Sequence, residues 1–316
     1  MNENKVTTEN LIRVEIVAPV HNRCDITLQC LKSLSKLDQT GLEIHIIIVD
    51  DGSTDGTSEA ISKQFPKVQI IHGDGSLWFT GGTNRGIEAA LKHNPDYVLT
   101  INDDSVFDSQ FLIKMIQTSQ KFPKSIIGCL LCLWDEPHKI FQVSPRWETF
   151  SGGWRHWYQQ TVWTVPTKPW EVDLIVGNCI LFPVEAIKTF GLMDEKRFPH
   201  YGDSEYTPRM RKNGWKLLIE PQARIFCQPN NLPPSISKMS LSKKIKTLVF
   251  DLGNAHSLRR RLYGNICGAP SSLQGIVAFF AFYVRWILGN NIESQKWLKQ
   301  DVEPPLSQTF ADKIVH

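Results

Sequence analysis

The 316-residue chain carries a formal charge of +3, is 41% hydrophobic and 21% charged, and holds seven cysteines. That is enough chain for one large domain or one domain with appendages. The small charge gives no case for nucleic acid, no run of about eighteen apolar residues spans a bilayer, and the polar stretch Met1 to Asn10 lacks the apolar segment of a secretion signal. A cytoplasmic protein is expected. An odd number of cysteines scattered through apolar stretches fits reduced thiols, and Cys129 and Cys132, with no second pair, read as small core residues of a buried strand.

Val14 to Pro19 reads as a first strand, closed by Pro19 and followed by the loop His21-Asn22-Arg23. Asp25 stands where it would cap a helix whose Leu28, Leu31, Leu34 and Leu37 recur at helical spacing. Glu43 to Val49 is a near-continuous apolar run, the mark of a strand covered on both faces. It ends in the polar turn Asp50 to Gly56, which leads into a helix through Phe65. Val68 to His72 is a third strand, and Gly81-Gly82-Thr83-Asn84-Arg85-Gly86 opens a further helix. Asp96 to Ile101 is a fourth strand, stopping at Asn102-Asp103-Asp104, with a helix beginning near Ser109.

This alternation predicts an α/β fold, a Rossmann-like, mostly parallel sheet with right-handed crossovers and helices on both faces. Ligands of such sheets sit beyond the carboxyl ends of the strands. Two adjacent acids at that edge repel unless a cation lies between them, and Mn²⁺ or Mg²⁺ takes oxygen ligands from one or two carboxylates, a diphosphate and water. The competing use of the same acids is to cap the next helix. Neither G-x-x-x-x-G-K-[ST] nor a G-x-G-x-x-G after the first strand is present, which argues against a P-loop enzyme and a dinucleotide dehydrogenase.

From Trp134 to Trp170 nine aromatic residues, Tyr158 among them, lie among Gly, Pro and polar residues with no helical or strand period. They serve either as the wall of a saccharide site, stacking on sugar C–H faces, or as a satellite core under a long loop. Leu174-Ile175-Val176 reads as another strand, Pro183 starts a helix to Phe190, and Asp203 opens a helix to about Asn213. A helix N-terminus stabilises an ionised carboxylate. Arg209, four residues after Glu205, can pair with it on that helix.

Taken in order, Ala18-Pro19-Val20-His21-Asn22-Arg23, Val49 to Asp55, Gly81 to Gly86, Asn102-Asp103-Asp104 and Gly202-Asp203-Ser204-Glu205 with Arg209 resemble family 2 glycosyltransferases of the GT-A fold. The subgroup is similar to bacterial polysaccharide enzymes, rhamnosyltransferases among them, and the likeness covers about Val14 to Cys227. It implies a GT-A domain over residues 1–233, its nucleotide-binding half at 12–133 and its acceptor-binding half at 134–233, followed by a helical extension at 234–316. It implies that Pro19 and His21 flank the base, Asp51 receives the N3–H of a uracil or thymine, and Arg85 borders base and diphosphate. Asp103 would touch ribose or a metal-bound water, Asp104 would bind Mn²⁺ or Mg²⁺, and Asp203 would be the general base. Sugar and acceptor contacts are expected from Trp78, Asn178, Trp154 and Glu205. Three departures stand out: Asn102 replaces the first acid of the metal motif, Gly202 stands where relatives usually carry Glu, and Phe226-Cys227-Gln228 replaces a late metal-binding His.

The activity implied is inverting transfer from a UDP- or dTDP-sugar to a hydroxyl of a saccharide or polyprenyl-linked acceptor in surface polysaccharide synthesis. Three rivals stand beside it. One is a sugar-nucleotide-binding or scaffold subunit with impaired chemistry, favoured by Gly202 and the missing His. A second is a nucleotidyltransferase, disfavoured because the first loop is not Gly-rich. Two-carboxylate glycoside hydrolysis would use Asp104 and Asp203 but leaves Asp50 and Asp51 unexplained. The tail joins Lys243, Lys244, Lys246 and Arg259-Arg260-Arg261 to the apolar run Ile276 to Leu288. It reads either as an interfacial docking element on the inner face of the cell membrane or as a helical hairpin packed on the catalytic domain or on a second subunit of a homodimer.

Overall fold

The structure is a computed structural model that describes residues 11–157, 160–227, 240–254 and 256–288. Tyr158, Gln228, the polar N-terminus through Asn10 and the last part of the tail, 289–316, lie outside the described residues. The first half runs β1 (Ile12–Val20), α1 (Cys24–Leu34), β2 (Leu42–Asp50), α2 (Thr57–Gln64), β3 (Gln69–His72), α3 (Trp78–Ala90), β4 (Tyr97–Ile101), β5 (Ser105–Phe107) and α4 (Phe111–Lys121). There follow β6 (Ser125–Leu133), β7 (Ile140–Glu148), β8 (Gly153–Trp157), β9 (Trp170–Glu171), β10 (Cys179–Pro183), α5 (Val184–Phe190), α6 (Asp203–Lys212) and β11 (Lys216–Cys227). Helices α7 (Leu241–Val249), α8 (Leu258–Gly268) and α9 (Ser272–Ile287) form the extension.

The sheet order is β3-β2-β1-β4-β10-β6-β11-β5. Strands β3, β2, β1 and β4 are parallel, as the apolar runs predict, while β10 runs antiparallel between β4 and β6. Both faces are covered. Ile16, Ala18, Ile48 and Leu99 pack with Leu31 of α1 and Phe111 and Met115 of α4. Val17, Ile47, Val49 and Val98 pack with Ile87 and Ala90 of α3 and with Tyr206 and Met210 of α6. Pro19 lies inside β1, past the residues of β1 that pair with β4, so its missing N–H falls where the strand has only β2 beside it.

Several expectations are corrected. Leu174-Ile175-Val176 is a buried loop, and the strand is the next apolar run, Cys179–Pro183, because β4 and β6 offer it an open slot. The aromatic stretch does contain strands: β7 pairs antiparallel with β6 and β8, its ladder interrupted between Val143 and Arg146. Asp25 lies inside the first turn of α1, and the cap comes from across the loop, where Asp55 Oδ2 accepts the Cys24 N–H at 2.9 Å. Helix α3 begins at Trp78, three residues before Gly81, and α4 begins at Phe111, two after Ser109.

Helix α8 packs against α6, and α9 packs against α8 and β8. A Cβ on Gly275 would stand 2.6 Å from the Asn265 carbonyl, and one on Gly268 would stand 2.4 Å from the Trp154 ring. Lys212 of α6 donates to the Cys267 and Ile266 carbonyls at 2.5 and 3.3 Å, placing a cation at the negative end of α8. Two of the three clustered arginines are not surface charges: the Arg260 guanidinium lies 3.3 Å from the Tyr201 ring centroid and Arg261 lies 3.4 Å from that of Phe282. On its outer side α9 exposes Leu273, Ile276, Val277, Phe280, Val284 and Ile287. No helix of the described residues is long and apolar enough to cross a membrane.

Close approach of α3 to the sheet explains the glycines that open the expected helix. A Cβ on Gly82 would meet Pro19 Cβ at 2.8 Å, and one on Gly86 would meet Val17 Cγ1 at 2.2 Å. Gly86→Ala should therefore lower unfolding stability by about 1–3 kcal/mol through overpacking. Urea titration checks this, and adding Val17→Ala should recover part of the loss.

Candidate active site

The parallel strands end on one edge, and the loops there carry the polar groups. After β2, Asp51 turns its carboxylate under the N-terminus of α3. Oδ1 accepts the Gly75 N–H at 2.8 Å, and Oδ2 accepts the Leu77 and Trp78 N–H groups at 3.0 Å each. A carboxylate has about four acceptor positions, so three bonds leave one free on Oδ1. A Cβ on Gly73 would come within 2.6 Å of that oxygen. Opposite, the His21 ring Nδ1 donates to the Asp51 carbonyl at 2.7 Å, fixing the first loop to the second. Asn22, with φ +49°, supports the same loop by accepting the Thr54 N–H at 2.7 Å. Trp78 holds φ +56°, a conformation a bulky residue rarely adopts. Its ring is 56% exposed and meets His200 edge-on at 4.5 Å. Arg85 is exposed on α3, in a cleft of about 310 Å³ shared with Glu88, Leu192 and Glu195.

After β4, the acids separate into two environments. Asp103 is engaged on both oxygens, Oδ1 by Arg23 at 3.0 Å and Oδ2 by Thr27 at 3.0 Å. Burial, opposed by the Arg23 charge and reinforced by Asp104, pushes its carboxyl up to about 6. Asp104 receives Arg23 on Oδ2 at 3.1 Å, while its Oδ1 is buried without a partner. Asn102 Oδ1 and Ser105 Oγ are likewise buried and unpartnered. Unpaired buried polar atoms are costly, and three in four consecutive residues, all oxygen, fit a hard divalent cation. Asp104 is the charged ligand such an ion would use. Cys227 pairs with Ser105 across β11 and β5, so the position of the relatives' late His does reach this loop. Burial and the nearby Asp104 charge hold its thiol well above its ordinary value, and sulfur is a poor partner for Mn²⁺ or Mg²⁺.

The antiparallel β10 brings the second cluster alongside. Its register sets Cys179 opposite Ile101, so the preceding turn faces the acid loop, and the Asn102 N–H donates to the Asn178 carbonyl at 3.0 Å. One residue earlier, the Gly177 N–H donates to Asp203 Oδ2 at 2.8 Å. Two hydrogen bonds through residues 177–178 thus tie Asp203 to the acid pair on one edge. Burial raises the Asp203 carboxyl, while the Gly177 N–H and the Arg260 charge pull it back. Arg260, on α8, also donates to the Gly253 carbonyl at 3.0 Å. It is the site residue that sequence reasoning assigned elsewhere: the only signal was its place in a basic triplet, and nothing local shows that α8 folds back over Asp203.

Gly202 has a steric cause. A Cβ there would stand 2.6 Å from Thr80 Cγ2 and 2.8 Å from Met193 Sδ, while Thr80 Oγ1 accepts the Gly202 N–H at 3.0 Å. The space a Glu would need is filled from α3. Two expected contacts are also corrected. Glu205 is buried in an ion pair with Arg209, Nε to Oε1 at 2.6 Å, and Arg209 donates further to the Phe190 and Leu192 carbonyls, so Glu205 braces α6. Trp154 is wedged between Trp147 and Gly268 under the extension, away from the sheet edge.

The model of glycosyl transferase family 2 matches residues 15–189. An N-acetylglucosaminyl-diphospho-decaprenol L-rhamnosyltransferase of Mycobacterium tuberculosis is 22% identical over 206 residues, which cover 58% of this chain and 66%, just under two thirds, of the relative. The glycosyltransferase GlyG of Streptococcus pneumoniae is 26% identical over 36% of this chain and 37% of its own. Among solved structures, GalNAc-T7 with UDP, GalNAc and Mn²⁺ superposes with a TM-score of 0.58 at 14% identity, covering 81% of this chain and 51% of that one. A mannosyltransferase of Pyrobaculum calidifontis in complex with GDP-Man and Mn²⁺ gives 0.52 at 13% identity, covering 90% and 76%. The fold is thus GT-A-like, and the chain belongs to glycosyl transferase family 2.

Proposed function

We propose that this glycosyltransferase moves a sugar, with inversion, from a UDP- or dTDP-sugar to a hydroxyl of a lipid-linked saccharide in bacterial surface polysaccharide synthesis. The observation that carries the reading is the linkage of Asp203 to the acid loop through residues 177–178. Pro19 and His21 border the base, the free position on Asp51 Oδ1 accepts the base N3–H, and Arg85 approaches the diphosphate. Asp103, braced by Arg23 and Thr27, borders the ribose or a metal-bound water, and Asp104 would hold Mn²⁺ or Mg²⁺. When bound, the cation neutralises charge on the leaving diphosphate. Asp203 takes the acceptor proton. A raised carboxyl is a stronger base, and one base on the face opposite the leaving group gives a single in-line displacement: the acceptor oxygen bonds the anomeric carbon as the bond to the diphosphate breaks. Trp78, exposed beside Asp51, and Asn178, beside the acid loop, flank the transferred sugar. The decaprenol-linked acceptor named for the mycobacterial relative supports a lipid-linked acceptor here.

Asp203→Asn should lower kcat by about 10²–10⁴-fold with nucleotide binding kept. If transfer persists at the wild-type rate, Asp203 is not the base; if the wild type shows neither transfer nor donor hydrolysis, the chain is a binding subunit, the reading that Gly202 favours. The raised carboxyl sets the pH signs. The base must be ionised, so kcat/KM should fall as pH drops through a value raised above the ordinary one for Asp. The same shift means that folding stability declines as pH rises through that value, so Asp203→Asn should melt no lower than wild type at neutral pH.

Asp104→Ala should remove the extra thermal stabilisation that Mn²⁺ gives to the UDP-bound protein, leaving the transition equal with Mn²⁺ and with chelator. The outer stripe of α9, with Lys243, Lys244 and Lys246 on α7, supports docking on an anionic bilayer that presents the acceptor. In flotation with anionic vesicles the wild type should float, and Phe280→Glu with Ile287→Glu should not.

A further inference from the structure

The only group of three or more metal-ligating side chains within reach of one another among the described residues lies away from the edge that carries Asp104. Glu15 sits on β1 opposite His45 of β2, and His93 lies in the turn that closes α3. Glu15 is five residues before Val20, so the cluster is about 16 Å back along the strand from the catalytic edge.

Glu15 is 1% exposed, and its Oε1 accepts both imidazoles, His45 Nδ1 at 2.9 Å and His93 Nδ1 at 3.0 Å. Its Oε2 is buried with no partner. Two imidazole contacts on one oxygen leave the other oxygen of a buried carboxyl uncompensated, an expensive arrangement unless a cation shares the pocket. One ligand atom from each residue lies within 4.8 Å of the other two.

We propose that Glu15, His45 and His93 form a second metal site, distinct from the catalytic one, selective for Zn²⁺-class transition ions. Zinc bonds imidazole nitrogen and carboxylate oxygen at about 2.0–2.2 Å, which sets tetrahedral ligand atoms about 3.3–3.5 Å apart. The two imidazoles need only draw back from Glu15 Oε1 by a few tenths of an ångström to reach that spacing, and their own ligand atoms already lie within 4.8 Å of each other. Two nitrogens and one oxygen favour Zn²⁺, Co²⁺ or Ni²⁺ over Mg²⁺, whereas the oxygens around Asp104 favour the hard ion. An orienting group is already present: Glu43 Oε1 lies 3.7 Å from the distal nitrogen of His45, and Arg13 Nε holds Glu43 at 3.1 Å. The side chains of His45 and His93 are 50% and 41% exposed, which gives an ion a path from solvent and leaves its fourth position to water. Ligands from β1, β2 and the end of α3 would clamp three elements together, so the ion stabilises the fold.

The test uses full-length protein free of any histidine tag, stripped with chelator and titrated with Co²⁺ and Zn²⁺. One equivalent of Co²⁺ should give visible d–d bands without thiolate charge transfer, Zn²⁺ should raise the melting temperature, and Asp104→Ala should retain both. His93→Gln should lose the bands and weaken Zn²⁺ binding by at least about tenfold. His45→Gln, on an exposed strand position, serves if His93→Gln does not fold. Bands and Zn²⁺ shift unchanged in the histidine variants, a thiolate signature, or no binding by wild type each overturn the site.

Discussion

Everything chemical in this protein depends on one reversed strand. β10 fills the slot between β4 and β6 in the direction opposite to both, and its first residues therefore stand beside the last residues of β4. Had that slot been filled by a parallel strand, residues 177–178 would lie at the far end of the sheet, and Asp203 with them. The reversal costs no core packing, because Ile180, Leu181 and Phe182 are buried as deeply as the parallel strands around them.

Around that strand the polar groups follow a division of labour set by hydrogen bonding. Asp51 and Asp103 are buried carboxylates whose oxygens are largely committed to holding loops, Asp51 through backbone N–H groups and Asp103 through Arg23 and Thr27. Asp104 keeps an unbonded oxygen, and Asp203 is held by the Gly177 N–H while burial lifts its proton affinity. The two pairs of acids thus differ in how far their oxygens are committed to the fold. Helix α3 links the two sets: Thr80 holds Gly202 and the Phe198 carbonyl, and Asn84 bonds Met193 through both its main-chain groups, so the segment leading to Asp203 is set by the helix that Asp51 caps.

The parallel half of the fold was legible because strands buried on both faces must be apolar throughout, and Glu43 to Val49 and Asp96 to Ile101 have no other use. The acids at their ends were legible for the same reason: polar loops after such runs mark the ligand edge. Elsewhere local pattern fails. Leu174 to Val176 and Cys179 to Phe182 are both apolar, and only the open slot in the sheet decides which is the strand. The β7–β8 ribbon hid because Pro145, Gly152 and Gly153 break its alternation and its aromatics face the extension as well as the sheet. Trp154 looked like a ligand contact since bulk is all that sequence displays, and its partner Gly268 is supplied by tertiary packing; the pairing of Glu205 with Arg209 was legible in their four-residue spacing. Arg260 was legible as a charge but not as a neighbour of Asp203.

The most direct measurement is a crystal structure with a UDP- or dTDP-sugar and Mn²⁺, the ion located by its anomalous signal. The Mn²⁺ peak should lie within about 2.0–2.6 Å of Asp104 Oδ1, with the anomeric carbon facing Asp203. No ion at Asp104, a donor bound elsewhere, or an anomeric carbon turned away from Asp203 would contradict this mechanism.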